Sequence, residues 1–284
     1  MTLSELTTQK KIPIYAFFEL TRKCNLNCMH CYVCRQNQPE LSTNQIKEII
    51  SQLKKENALI LNFSGGEIFT MKDFFDIAWH AKSQGFAIKF FTNGTLIDKT
   101  KAGQIAELKP LRVEVTIFSL KPKVHDGITG ISGSLVNSLK ALRLLSERGV
   151  PLRIKSTLMK GNASGYKQII RLAESLGAKY QFDPNIIPKT NGSMLPLHFR
   201  VGKRGLFRIL NDPKVGVKED FVSKGLRRNN DSIPCSAGHN SCAISCYGDV
   251  FPCIILPIKL GNLKQHSFAQ IWHNSQNLSN LRAI

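Results

Sequence analysis

Cys24-Asn25-Leu26-Asn27-Cys28-Met29-His30-Cys31 is the stretch on which the fold turns. It follows an apolar run, residues 14–20, that reads as a buried strand, so three thiols sit in the loop at that strand's carboxyl end. The spacing is C-x3-C-x2-C. Three thiolates this close suit three irons of a cubane cluster and leave the fourth iron free for a small chelating ligand. A structural zinc site asks for a different pattern, typically two C-x2-C pairs. Here it would need Cys34 or His30 as a fourth ligand inside a cramped run of eleven residues, 24–34.

Outward from the loop, hydrophobic periodicity gives an alternation. Strands are expected over 14–20, 58–63, 86–91, 111–118, 150–159 and 179–182. Helices are expected over 43–56, 72–84, 98–108, 134–148 and 164–176. Ser42 or Thr43 is a plausible cap for the first helix, and Ser134 for the fourth. Residues 121–133 read as a long glycine-bearing loop. Six β/α units imply a parallel sheet with right-handed crossovers. Polar groups recur after strand ends: Ser64-Gly65-Gly66-Glu67 after the second and Thr92-Asn93-Gly94 after the third. Both β/α barrels and open α/β sheets place their sites there. Periodicity alone leaves a closed barrel, a partial barrel and an open sheet undecided. From residue 186 prolines and glycines break the pattern, a hairpin is expected around Gly248, and residues 267–273 form a short amphipathic segment.

The chain has 284 residues, room for one large α/β domain with an appendage. Lys and Arg outnumber Asp and Glu by 39 to 20, a formal charge of +19 that favours anionic partners. The basic residues are spread thinly and lack interleaved aromatics, which argues against a dedicated nucleic-acid reader. No apolar run approaches the ~20 residues of a membrane span. The first twelve residues do not read as a signal peptide, so a cytoplasmic location is expected. The eight cysteines fall in two groups, Cys24 to Cys34 and Cys235 to Cys253, with none in the 200 residues between. A disulfide scaffold scatters its cysteines, whereas two tight groups read as two metal sites in a reducing compartment.

The cysteine motif with His30 and Tyr32 around Cys31, together with Ser64-Gly65-Gly66-Glu67 after the second strand, resembles the radical S-adenosylmethionine (SAM) superfamily. The resemblance covers residues 14 to about 184. It implies an α/β fold: a partial (β/α)6 barrel over 13–185, a linker over 186–232 and a small cysteine-rich extension over 233–284. It implies that Cys24, Cys28 and Cys31 ligate a 4Fe–4S cluster whose open iron chelates the methionine end of SAM. His30 is expected near the adenine, Gly65 and Gly66 where backbone approaches the methionine, and Glu67 at its amino group. Asn93, Ser119, Arg153, Lys155 and Thr157 fall where the family contacts ribose or methionine. Cys34 lies outside the motif as a bystander thiol. The implied reaction is reductive cleavage of SAM to a 5′-deoxyadenosyl radical, which takes hydrogen from a substrate. No catalytic acid or base is assigned.

The second group, C-x12-G-x4-C from Cys235 through Gly248 to Cys253, resembles the start of the SPASM or twitch extension, which carries auxiliary 4Fe–4S clusters. Cys235 and Cys253 are the expected ligands, with Cys242 or Cys246 completing an auxiliary site; a four-cysteine zinc site is the rival. No cysteine follows Cys253, so the extension is expected to be shortened and to hold one cluster at most. The linker and residues 121–134 also resemble maturases of ribosomally made peptides. That implies a peptide or protein substrate, an acidic leader peptide suiting the basic surface, and an electron donor such as a flavodoxin or ferredoxin. No leader-binding segment is read before Ile12, so recognition is expected elsewhere. A maturase in tetrapyrrole or quinone cofactor biosynthesis is the alternative. A non-catalytic iron–sulfur or zinc protein binding nucleic acid is the alternative of another class, and the Gly-Gly-Glu turn argues against it.

Overall fold

The computed structural model describes residues 3–34, 36–215 and 235–283. The part of the expected linker beyond residue 215, and the first two residues of the expected extension, lie outside the described residues.

A short helix, α1 (Leu3–Gln9), precedes β1 (Tyr15–Thr21). Then α2 (Thr43–Lys55), β2 (Ile60–Gly65), α3 (Phe74–Ser83), β3 (Ala87–Thr92), α4 (Lys99–Leu108), β4 (Arg112–Thr116), α5 (Pro122–Thr129), α6 (Ser134–Ser146), β5 (Leu152–Thr157), α7 (Tyr166–Ser175) and β6 (Lys179–Asp183) follow in turn. The six strands pair in parallel, each beside its sequence neighbour.

Side-chain alternation sorts each strand into two faces. Ala16, Phe18 and Leu20, Leu61 and Phe63, Ile88 and Phe90, Val113 and Val115, and Ile154 share one apolar core with the helices. In α2 the residues that meet them are Ile46, Ile49, Ile50 and Leu53, spaced three and four apart as one helical face requires. Ser42 caps that helix in a reciprocal capping box with Gln45, an arrangement worth about 1 kcal/mol.

The opposite strand face lines a cavity. Phe17 of β1 and Asp183 of β6 both border one space of about 550 Å³. In a flat sheet those strands would stand roughly 24 Å apart, at about 4.8 Å per strand. The sheet therefore curls into a partial barrel, with all six strands contributing to one concave wall.

The C-terminal segment continues the same sheet. β7 (Ser241–Ile244) pairs in parallel with β1, and β8 (Asp249–Phe251) and β9 (Gly261–Asn262) add antiparallel strands. This covers the edge that β1 would otherwise leave unpaired. Gly248 turns the β7–β8 hairpin at φ +87°, as its position in sequence suggests. Between barrel and hairpin lies α8 (Lys203–Leu210); α9 (Phe268–Asn274) and α10 (Gln276–Arg282) close the described chain. Trp272 of α9 is fully buried, stacks on Phe268 and donates its indole N–H to the Lys11 carbonyl. The extension is thereby fastened to the segment that leads into β1.

Two expectations need correction. Residues 121–133 are not a loop: Pro122 opens α5 at its first turn and Gly130, at φ +71°, ends it. Ser134 does not cap α6; Gly133 occupies that position. The Asp126 carboxylate, reaching from α5, accepts hydrogen bonds from the Gly133 and Leu135 backbone N–H groups at 2.7 and 3.0 Å.

Candidate active site

The cysteine loop leaves β1 and folds over the carboxyl ends of the strands. α5 braces it: Asn27 N–H donates to the Thr129 carbonyl and Met29 N–H to the Ile128 carbonyl, at 2.8 and 3.0 Å. Gly130 lies against Asn27, where an added Cβ would stand 3.0 Å from the carbonyl oxygen. The Gly-Gly turn braces the loop's start. Gly66 N–H donates to the Thr21 carbonyl and Glu67 N–H to the Lys23 carbonyl. A Cβ on Gly65 would meet the Thr21 carbonyl oxygen at 2.1 Å, and one on Gly66 the Lys23 carbonyl oxygen at 2.2 Å. The glycines therefore let β2 nest under the loop as well as border the cavity.

Cys24, Cys28 and Cys31 are free, half-buried, and all line the cavity. Leu26 N–H donates to Cys24 Sγ at 3.4 Å, a backbone donor already aimed at sulfur. Burial, and then the neighbouring Cys31 and Cys24 thiols, push the Cys28 thiol up to about 12. Burial likewise raises Cys24 and Cys31. Three half-buried thiols, each with its pKa raised first by burial, form a donor set that suits cationic irons. They ionise only when a positive centre compensates them. The cavity volume falls within the range of about 300–1,000 Å³ typical of cofactor sites. The residues thus fit a 4Fe–4S cluster with SAM beside it. Among the described residues no three His, Cys, Asp or Glu side chains gather around a single-ion site; a cubane instead places each thiolate on its own iron.

His30 lines the cavity edge-on to Phe118, with ring centroids 5.0 Å apart. Burial lowers its pKa to about 4, so it stays neutral, and its Nδ1 is buried without a partner. Gly65, Gly66, Asn93, Lys155 and Thr157 also line the cavity. Asn93 is held by its own turn: its Oδ1 accepts from Thr95 N–H, and its Nδ2 donates to Asn25 Oδ1 and lies 4.0 Å from Cys24 Sγ.

Three expected contacts do not reach the cavity. Glu67 is fully buried behind the turn; it accepts from Asn93 N–H (2.7 Å), Thr92 Oγ1 (2.8 Å) and Phe69 N–H (3.1 Å). Its carboxylate joins the β2 and β3 turns. Ser119 is buried and accepts from Lys121 N–H where the chain enters α5. Arg153 sits lower on β5 and pairs with Glu114 at 3.4 Å and Gln181 at 2.8 Å.

Sequence reading missed three contributors. His125 of α5 is buried in the cavity wall and accepts from Phe118 N–H at Nδ1, which leaves Nε2 as the protonated nitrogen of the neutral ring. Arg22, directly after β1, is buried; it pairs with Glu19 at 3.7 Å and lies over the Tyr247 ring of the extension. Glu40 accepts from Arg22 N–H and Thr21 Oγ1, both at 2.8 Å, and from Cys246 Sγ at 3.7 Å. A polar seam thus ties the cysteine loop to the C-terminal hairpin. The charges of Arg22 and Glu40 were visible in sequence, but their contacts in the hairpin, Tyr247 and Cys246, lie more than 200 residues away.

The four cysteines of the second group are free and differ in burial. Cys242 lies on the core side of β7, registered with Ala16, and burial alone pushes its thiol up to about 12. Cys246 turns to Glu40, Cys235 is exposed and Cys253 is half-buried at the end of β8. Cys253 precedes Ile254 and Ile255, which border the cavity mouth.

This geometry matches known proteins. Residues 18–176 match the model of the radical SAM superfamily, and residues 235–283 that of an iron–sulfur cluster-binding domain, SPASM. The AdoMet-dependent heme synthase of Methanosarcina barkeri is 27% identical over 93% of this chain and 83% of its own. The antilisterial bacteriocin subtilosin biosynthesis protein AlbA of Bacillus subtilis is 27% identical over 93% of this chain and 60% of its own. The crystal structure of Streptococcus suis SuiB bound to precursor peptide SuiA superposes with a TM-score of 0.76 at 16% identity, over 99% of this chain and 70% of that one. Among the described residues no helix is long and apolar enough to cross a membrane. The chain belongs to the radical SAM superfamily, as an enzyme that uses S-adenosylmethionine and a 4Fe–4S cluster and bears a SPASM domain at its C-terminal end.

Proposed function

We propose that this enzyme matures a ribosomally made peptide or protein by hydrogen abstraction. The single observation behind the site assignment is the shared cavity: three free thiols, the Gly65-Gly66 turn and the strand ends of β3 and β5 meet around one space of about 550 Å³. Cys24, Cys28 and Cys31 would hold the cluster there, and it would supply the electron for cleavage of SAM. The chain's own residues orient and enclose. Gly65 and Gly66 offer backbone to the methionine, Asn93 and Thr157 offer polar groups at the rim, and His30 with Phe118 forms an aromatic wall. Glu67 acts indirectly by fixing Thr92 and Asn93. Cys235 and Cys253 are proposed as auxiliary-cluster ligands, with Cys246 the nearer candidate for a third, and the domain limits 13–185, 186–232 and 233–284 are kept as proposals.

The peptide reading is supported by the bacteriocin biosynthesis relative AlbA, and by a fold shared with an enzyme seen with its precursor peptide. A flavodoxin or ferredoxin is the proposed electron donor, and an acidic peptide the partner suited to the +19 charge. A second reading, a tetrapyrrole substrate, is favoured by the heme synthase relative. The test is single turnover by the reconstituted, reduced enzyme with SAM and the product of a short peptide gene beside its own. Stimulated 5′-deoxyadenosine release together with a mass change in the peptide supports the first reading. Stimulation only by a tetrapyrrole overturns it in favour of the second.

A further inference from the structure

Residues 253–256 depart from local preference. Cys253 and Leu256 form an isolated antiparallel bridge, and Leu256 N–H donates to the Cys253 carbonyl at 3.2 Å, so Ile254 and Ile255 are the two central residues of a tight turn. Turn centres ordinarily fall to Pro, Asn, Asp, Ser or Gly. Both isoleucines keep negative φ, so the backbone there demands no special residue. Ile255 is 53% exposed, and an aliphatic side chain left in water at a turn tip gives the fold little. A departure from local preference that gains the fold nothing is the mark of a functional position.

What the two isoleucines gain is a place at the cavity, which both border. Three aliphatic side chains from other segments border it with them: Leu26 and Val33 of the cysteine loop, and Ile187 after β6. The rim thus draws on both ends of the curled barrel wall, since β6 closes it on one side and β7 extends it beyond β1 on the other. Polar contacts hold these segments together. Thr190 N–H donates to the Tyr32 carbonyl at 2.8 Å, Cys34 N–H to Thr190 Oγ1 at 3.1 Å, and Gln36 N–H to the Tyr247 hydroxyl at 2.9 Å. Among residues 24–34, 185–190 and 253–256, Lys189 is the one charged side chain that borders the cavity.

We infer that the Ile254–Ile255 turn, with Leu26, Val33 and Ile187, is an aliphatic rim that sets substrate specificity: it seats apolar side chains of the peptide while the reacting carbon enters the cavity. That role rests on the proposed function in taking a peptide as the substrate, and adds which part of the peptide the enzyme reads, the apolar residues beside the modified one. An apolar rim selects by removing matching surface from water, which is non-directional, so it fixes the character of those residues and not their order. The C-terminal extension thereby contributes side chains to the cavity of the barrel, through the two residues that follow Cys253.

The test is calorimetric titration of the reconstituted holoenzyme, with SAM present, by three probes in separate arms: a capped hexapeptide of alternating alanine and leucine, the same peptide with glutamine in place of leucine, and coproporphyrin III. Wild type is expected to bind the leucine peptide about tenfold more tightly than the glutamine peptide, which corresponds to about 1.4 kcal/mol. Ile254→Ser combined with Ile255→Asn puts ordinary turn residues into the turn, and is expected to cut that preference to about threefold or less without lowering the melting temperature. Ile255→Leu, which keeps the apolar surface, is expected to keep the preference. Leu111→Ser, at a comparably exposed aliphatic residue before β4, is expected to leave it unchanged. Iron content and thermal unfolding, read on each preparation, separate loss of the rim from loss of cluster or fold; Ile187→Ser probes the rim from a second segment should the double variant lose either. Equal affinity of wild type for the two peptides, or a preference that survives the rim variants, overturns the inference and leaves peptide maturation standing. Failure of both peptides to bind also overturns it, and binding of coproporphyrin III in that case counts against the peptide reading as well.

Discussion

Glu67→Gln separates the role the structure gives this residue from the one its motif suggests. The carboxylate is fully buried, and burial raises its pKa to about 7 although hydrogen bonds from Asn93, Thr92 and Phe69 oppose the shift. An acid whose folded pKa lies above its unfolded value binds more protons in the native state over that interval. Folding stability therefore falls as pH rises from the unfolded pKa, about 4.5, through about 7. Integrated between pH 5.5 and 8, such a shift removes about 2 kcal/mol. In a chain this size that is about 4–8 °C in melting temperature. Gln has no such dependence. It also sets an amide N–H against one of the backbone donors, an offset of about 1–3 kcal/mol that is constant with pH. The assay is thermal or urea unfolding of both proteins at several pH values. The wild-type curve is expected to fall relative to the variant by about 2 kcal/mol across the interval. Parallel curves would refute the assignment of Glu67 as a buried, ligand-free carboxylate.

The glycine turn and the second cysteine group give sharper binary outcomes. Gly66→Ala brings a Cβ within 2.2 Å of the Lys23 carbonyl, so the cysteine loop must shift. The variant is expected to lose about 1–3 kcal/mol of stability and to bind SAM weakly, as read by unfolding and by equilibrium dialysis. Cys253→Ser is expected to lower iron content by about four per chain if it ligates an auxiliary cluster. Cys242→Ser is expected to leave the iron count unchanged while destabilising the core in which the thiol is packed. Unchanged iron in Cys253→Ser would remove that residue from the auxiliary site.

Much of the barrel was legible because its strands are two-faced. Val113 and Val115 alternate with Glu114 and Thr116, and the structure places the first pair in the core and the second on the concave wall. The cysteine motif and the Gly-Gly turn were equally plain, since their spacing is local. What was not legible depends on distance. Nothing near Ser241 in sequence says that it will pair with Tyr15, yet that pairing attaches the extension to the barrel. Nothing local to Glu67 says that Thr92 and Asn93, 25 and 26 residues on, donate to its carboxylate. α5 was hidden by its length of eight residues, although Pro122 and Gly130 were signals of its two ends. Arg153, Lys155 and Thr157 all lie on β5, but at different depths: Lys155 and Thr157 line the cavity, whereas Arg153 pairs with Glu114.

The most direct measurement of the central claim is SAM cleavage by the three-thiol site. The protein is reconstituted anaerobically with iron and sulfide, reduced, and given SAM, and 5′-deoxyadenosine is quantified beside a Cys24→Ala variant treated identically. Formation of 5′-deoxyadenosine by wild type and its absence in Cys24→Ala is the predicted result. No 5′-deoxyadenosine from a wild-type protein that holds its cluster, or equal amounts from both proteins, would contradict the assignment of Cys24, Cys28 and Cys31 as the radical-generating centre.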